Sequence, residues 1–337
     1  MTIRSATLSA IVAWSTAAGA DVWQRAIDGR EPDLEVYERL MAKADEAAIS
    51  ANSKSISLQQ IRRDLDVAAE AYHAAAKANP RSGEPHYRLA TLLHSFFFDC
   101  VAFSAPPPLT CQRGARHDDK AREAVEAWDA FEARVPLDPR VNEILLQRAI
   151  LRTKLLASTP NDNSLLEAAL RDYQALLDRS DGLLQRTSFL VLGNLAETYM
   201  MLGQIEQAID TYREAVRVGG STSTMYGLAV ALDRDERGAQ AISIIRDQGI
   251  PAYEKFQQDF LDGDVFYVPA GEEHYYFALI EEAFGNVELA IEHWKLYIKS
   301  GAHPKFRPRA NDHLDALLGK KNQRWRAPPP RDPLRGY

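Results

Sequence analysis

Apolar residues recur along most of this chain at helical spacing, and the clearest block lies between Phe189 and Gly220. It reads FLVLGNLAETYMMLGQIEQAIDTYREAVRVGG, with Leu195, Ala196, Tyr199, Gly203, Ala208, Tyr212 and Ala215 alternating small and large. This predicts two antiparallel helices that approach closely at Ala196 and Ala208, with Gly203 in the turn and the tyrosines wedged between them. A second good block near the C-terminus, EEHYYFALIEEAFGNVELAIEHWKLYI, places Phe277, Ala278, Gly285, Ala290 and Trp294 likewise. Both share a G-x-x-x-x-A-I core. Between them Met225, Leu228, Ala229, Leu232, Ala241 and Ile245 form a weaker copy whose turn glycine is displaced to Gly238.

Upstream, Leu65 to Ala78 carries Ala68, Tyr72 and Ala75 and ends at Asn79-Pro80. The next helix starts near Gly83 with Leu89, Ala90 and Leu93, and its partner is displaced to Ala124, Trp128 and Phe131. Asn142 to Ala157 and Ser164 to Leu177 make a further pair, and Leu34 to Ala51 is amphipathic without a repeat signature. Ala241 follows Ala208 by 33 residues, and Ala290 follows Ala241 by 49. The small/large pattern, the turn glycines and this period resemble the tetratricopeptide repeat, whose period is about 34 residues. The resemblance covers most of residues 60–318. It implies an all-α fold, a right-handed α-solenoid of tetratricopeptide-like helix pairs with a concave and a convex side and two insertions.

The expected organisation is a signal segment (1–20), an N-terminal helical region (21–59), a repeat array carrying a cysteine loop (60–250), an aromatic and acidic insertion (251–270), a last repeat with a capping helix (271–318) and a basic, proline-rich, extended tail (319–337). The insertion holds Phe256, Phe260, Phe266 and Tyr267 among Asp259, Asp262 and Asp264; it either folds over the groove or forms a satellite core under a long loop.

The 337 residues are 46% hydrophobic and 26% charged, as in soluble folded proteins. The formal net charge of −7 gives nucleic acid no global attraction. Arg4, the apolar stretch from Ala6 to Ala17 and Ala18-Gly19-Ala20 read as an export signal with a mature start at Asp21; the alternative is an amphipathic first helix packed on the body. A periplasmic or secreted location is the expectation. No later run is apolar enough to span a bilayer. Cys100 and Cys111 flank a loop containing Pro106-Pro107-Pro108 and point to a local disulfide worth about 2–3 kcal/mol, with two free thiols as the alternative. The basic tail offers electrostatic contact with an envelope surface or simply a solvated end.

The chain lacks G-x-S-x-G, H-E-x-x-H, paired C-x-x-C and G-x-G-x-x-G patterns. No catalytic residue, cofactor or metal is therefore expected. The histidines, His274 and His293 among them, read as ordinary helix residues, and Asp262, Asp264 and His274 form the sole cluster for a remote enzymatic reading. In the repeat family the first helix of each pair lines the groove. The resemblance puts Tyr87, Tyr226 and Tyr275 at its fifth position, where Gly193 stands in the best copy. A tyrosine ladder for an extended peptide is one reading, and tyrosines packed between first helices the other. Glu197, Met200, Met201, Asp233, Arg234 and Glu282 are the further groove candidates, more acidic than basic. The expected function is a scaffold holding a protein or peptide partner in the groove; the alternative is an oligomerising envelope component with an idle groove.

Intact mass of the chain isolated from a periplasmic extract, with thiols alkylated before and after reduction, tests the export expectation. A start at Asp21 with both cysteines protected until reduction is expected. An uncleaved chain with two free thiols overturns it.

Overall fold

The computed structural model describes residues 33–51, 58–94, 102–103, 111–112, 118–156, 163–179, 188–262 and 268–324. The signal segment, Cys100 and residues 325–337 lie outside them, as do the side chains that would show a Cys100–Cys111 bond. The chain forms two compact units, Met1–Val141 and Asn142–Tyr337. Helices dominate both, packed largely as neighbours in sequence.

In the first unit α1 (Leu34–Ala51) pairs with α2 (Leu58–Ala78), and α3 (Glu84–Leu93) pairs with α4 (Asp118–Arg134) across the cysteine loop. Ala44, Ala68, Ala75, Ala90 and Ala124 are wholly buried, the small residues that permit close helix contact. The displaced partner is where the sequence placed it, with Trp128 and Phe131 buried on α4. Inside the loop, β1 (Ala102–Phe103) and β2 (Cys111–Gln112) pair antiparallel with Phe103 opposite Cys111.

The second unit begins with α5 (Val141–Leu155, its first residue at the unit boundary) and α6 (Asn163–Asp178). A buried ion pair joins them: the Arg148 guanidinium grips both oxygens of Asp172 at 3.0 and 2.8 Å, and Arg152 adds a further contact to the same carboxylate. Three hairpins follow: α7 (Ser188–Met201) with α8 (Ile205–Arg217), α9 (Thr222–Arg234) with α10 (Gly238–Gln248), and α12 (Glu273–Phe284) with α13 (Val287–Ser300). Between the last two runs α11 (Ile250–Asp262), and after them a 3₁₀ turn (Pro304–Phe306) leads into α14 (Arg307–Arg324). Here the structure differs from the expected extended tail after residue 318, since α14 continues through Gly319 to Arg324. A Cβ at Gly319 would meet nothing, so the glycine sits on an open face, and the Lys, Asn, Gln and Arg that follow it tolerate a helix.

The hairpin turns repeat one design. Gly203 and Gly285 adopt left-handed backbone (φ 71° and 85°), and the next amide reaches back five residues, Gln204 to the Tyr199 carbonyl and Asn286 to that of Glu281, both at 2.9 Å. The weaker copy makes the same turn with Glu236 at φ 61° and Arg237 donating to the Leu232 carbonyl at 2.8 Å. The turn glycine is thus replaced by Glu236 in place, not displaced to Gly238, which opens α10.

Helix α9 is the hub. From Tyr226 to Leu232 the helix is apolar all round and every residue is buried, and the Asp233 and Arg234 that end it are buried too. Gly227 lets it lie against Tyr212, because a Cβ there would fall 2.4 Å from the ring. The insertion joins this same core instead of forming a satellite: Phe256 of α11 meets Tyr226 edge-on at 4.9 Å, and Tyr253 donates to Glu281 at 2.6 Å.

Two substitutions probe this scaffold in opposite directions. Glu236→Gly relieves left-handed strain and is expected to stabilise by about 1 kcal/mol. Gly227→Ala, which helix propensity alone favours, is expected to destabilise by about 2 kcal/mol through the Tyr212 contact. Denaturant melts of both variants decide, and the same sign for the two contradicts the packing described.

Candidate functional site

Asp233 and Glu282 hold the same place on α9 and α12, one helical turn after the buried Ala229 and Ala278. Both point toward the unit's interior face, where the segment after α13 is seated. His313 of α14 bridges them, with Nδ1 2.8 Å from Glu282 and Nε2 3.0 Å from Asp233. Arg309, one turn earlier, donates to Asp233 at 2.6 Å, and Tyr275 gives its hydroxyl hydrogen to the same carboxylate at 2.7 Å. Lys305, another four residues back, donates to the Gly203 carbonyl in the α7–α8 turn at 2.9 Å. Gly238 makes room, because a Cβ on it would lie 2.6 Å from the Arg309 guanidinium.

The charges are tuned by these contacts. Burial would raise the Asp233 carboxyl, yet hydrogen bonds from His313 and Arg309 outweigh it and hold the group near 2. Burial likewise opposes charging His313, while its two carboxylate partners lift it to about 9. The imidazole also stacks on Trp294 with centroids 4.6 Å apart. A second pair lies beside the first: Arg234 binds Glu272, which also contacts His303 Nδ1 at 2.8 Å. The Arg234 guanidinium sits over the rings of Tyr275 and Phe306 at 4.5 and 4.4 Å. Glu272 is held below the ordinary carboxylate range, because Arg234 and His303 outweigh its burial.

The seven partner-binding candidates do not form one open row. Tyr87, in the first unit, is half-buried under the Arg140 guanidinium at 4.4 Å and beside Phe131 at 5.4 Å. Tyr226, Tyr275, Glu197, Met200 and Arg234 are all buried in the second unit. Tyr226 and Tyr275 are core side chains here: Tyr226 meets Phe256 of α11, while Tyr275 packs on Trp294 and Tyr297 of α13 and donates to Asp233 of α9. Glu197 on α7 accepts the hydroxyls of Tyr212 at 2.7 Å and of Tyr276, on α12, at 2.8 Å, which ties first helices of the first and third hairpins. Of the second unit's candidates, Glu282 keeps partial exposure while it meets His313 and, at 3.4 Å, the Trp294 indole N–H.

Sequence reasoning missed Lys305 and Arg309, and it placed His313 only in an amphipathic capping helix that closes the last apolar face. Their signal was present as three basic residues four apart, the first in the 3₁₀ turn and the other two on one face of α14, opposite acids that themselves recur at one repeat position. Of the remote enzymatic cluster, the side chain of Asp262 and residue 264 lie outside the description, and His274 pairs with His293. Among the described residues no group of three or more His, Cys, Asp or Glu is placed to hold a metal ion, and no helix is long and apolar enough to cross a membrane.

No protein-family model matches the sequence, and no curated protein matches it. Among solved structures, the crystal structure of the P58(IPK) TPR domain is similar with a TM-score of 0.39 and 13% identity, covering 86% of this chain and 67% of that one. The helix pairs and turns described above show an all-α array of antiparallel hairpins.

Glu197 yields a pH prediction. Its burial raises the carboxyl to about 7 despite the two tyrosine hydroxyls and Arg234, with Glu272 adding to the rise. Between the ordinary value of 4.5 and about 7 the folded chain holds a proton that the unfolded chain has lost, so this group lowers stability as pH rises, by about 3 kcal/mol in all. Glu197→Gln is expected to gain on the native chain by that order between pH 5 and pH 8 in denaturant melts. A difference independent of pH contradicts a proton held at this site.

Proposed function

We propose that this chain is an exported protein-binding scaffold, and that its C-terminal unit recognises a basic helical segment through the equivalent acids Asp233 and Glu282. The observation that carries this reading is the seating of Lys305, Arg309 and His313 on that face, three cationic side chains four residues apart meeting acceptors from three successive hairpins. Charge-assisted hydrogen bonds of this kind specify both sign and register. Export is supported by the pattern of the first twenty residues alone.

In the free chain α14 is the resident occupant. It fastens itself with few apolar side chains, Ala310 and Leu317 being its buried ones and Leu314 and Leu318 partly so, which leaves the ionic contacts a large share of the attachment. Elements held in this way open at lower free energy than the core. Tethering gives α14 an effective concentration of the order of millimolar, so a segment arriving from another protein competes only where it binds well or where α14 is loosened.

A synthetic peptide of residues 303–319 is the direct probe. It is expected to bind the full chain carrying Arg309→Ala and His313→Ala, with less binding to the native chain, and to lose binding when Asp233→Asn is added to the loosened chain. Circular dichroism first establishes that each variant folds. Absence of peptide binding to a folded, loosened chain overturns recognition at this face and leaves α14 as a permanent cap.

A further inference from the structure

His274 lies in the first turn of α12 and His293 in the middle of α13, the two helices of one hairpin. Their Nδ1 atoms face each other at 3.2 Å, and the ring centroids are 5.4 Å apart at a tilt of 38°. Two imidazole nitrogens bound to one tetrahedral ion at ordinary bond lengths are separated by about 3.3 Å. The spacing is therefore that of two adjacent ligands on a single metal ion. We propose that this pair is a binding site for a first-row divalent transition-metal ion, of the zinc(II) and copper(II) class.

The surroundings support a preformed site. Phe277, just under one turn beyond His274, packs on the His293 ring at 5.5 Å and is itself backed by Phe260 at 5.5 Å and Phe256 at 6.2 Å. Wholly buried Ala278 and Ala290 set the close approach of the two helices that brings the rings together. Both histidines keep partial exposure, so an ion reaches them from solvent. The neighbouring Glu273 carboxylate accepts the Gly271 amide at 2.5 Å, and among the described residues no third His, Cys, Asp or Glu joins the two imidazoles in a metal-holding group. Imidazole selects copper, nickel and zinc over the hard oxygen-seeking cations. With two protein ligands the remaining coordination positions belong to water, so the site is open, in the manner of sites that exchange a ligand, and it staples α12 to α13 without closing around the ion.

This inference is independent of the acidic recognition face, and a different experiment decides it. Chelator-treated full-length chain is titrated calorimetrically with zinc sulfate and with copper sulfate, then with magnesium as a control. One ion per chain is expected, copper tighter than zinc and magnesium silent, with thermal stability rising on saturation. His274→Ala and His293→Ala should each abolish the event while the thermal melt shows a folded chain. Electron paramagnetic resonance of the copper form should show nitrogen ligation that both variants lose. No stoichiometric binding up to about 1 mM zinc, a dissociation constant worth only about 4 kcal/mol, overturns the proposal. So does binding that survives in both variants, which marks an adventitious ion elsewhere; in either case the contact is a plain hydrogen bond between two imidazoles.

Discussion

Asp233 carries its charge with none of its side chain exposed, and a buried carboxylate survives only when paired and hydrogen-bonded. Much of the C-terminal unit follows from meeting that demand. Tyr275 supplies one donor from α12, and Arg309 and His313 supply the others from α14. Residue 238 must be small for the guanidinium to arrive, and the turn before it is made with Glu236 in a glycine's conformation. Trp294 gives His313 a ring to stack on, while Glu282 takes its other nitrogen. Breaking one partner of such a cluster leaves a charge stranded, so the cluster acts as a unit rather than as a sum of pairs.

The same face is closed a second way, by apolar contact. Tyr226 against Phe256, Tyr275 against Trp294 and Tyr297, and the hydroxyls of Tyr212 and Tyr276 on Glu197 turn side chains at groove-lining positions into core. Edge-on aromatic pairs of this kind each contribute about 0.5–1.5 kcal/mol beyond their buried area. The concave side implied by the repeat resemblance is thereby filled from within this unit. Glu282, still partly exposed, marks the rim on which α14 rests.

Under the proposed function, this arrangement suits a scaffold whose recognition is gated by its own chain. Under that reading the acids that would greet a basic segment are occupied by α14 already, whose hold combines ionic contacts with the buried Ala310 and Leu317. The histidine pair on α12 and α13 lies on the last hairpin, beside the rings that carry the insertion, and offers a separate chemistry from the acidic rim.

Helix pairing was legible in the residues themselves. Alanines at 196, 208, 278 and 290, glycines at 203 and 285, and the displaced Trp128 and Phe131 dictate close antiparallel helices, because only small side chains admit the contact and only glycine turns left-handed without strain. The acids Asp233 and Glu282, which hold the same place on their helices, were visible too. What they would meet was not. Whether Tyr226 faces a peptide or a phenylalanine depends on where α11 folds, and whether Asp233 greets solvent or Arg309 depends on a helix 76 residues away. Periodicity states which face of a helix is apolar, but it carries no information on which distant segment covers it. That choice is made by the packing of whole helices, and here it converted a predicted groove into a core.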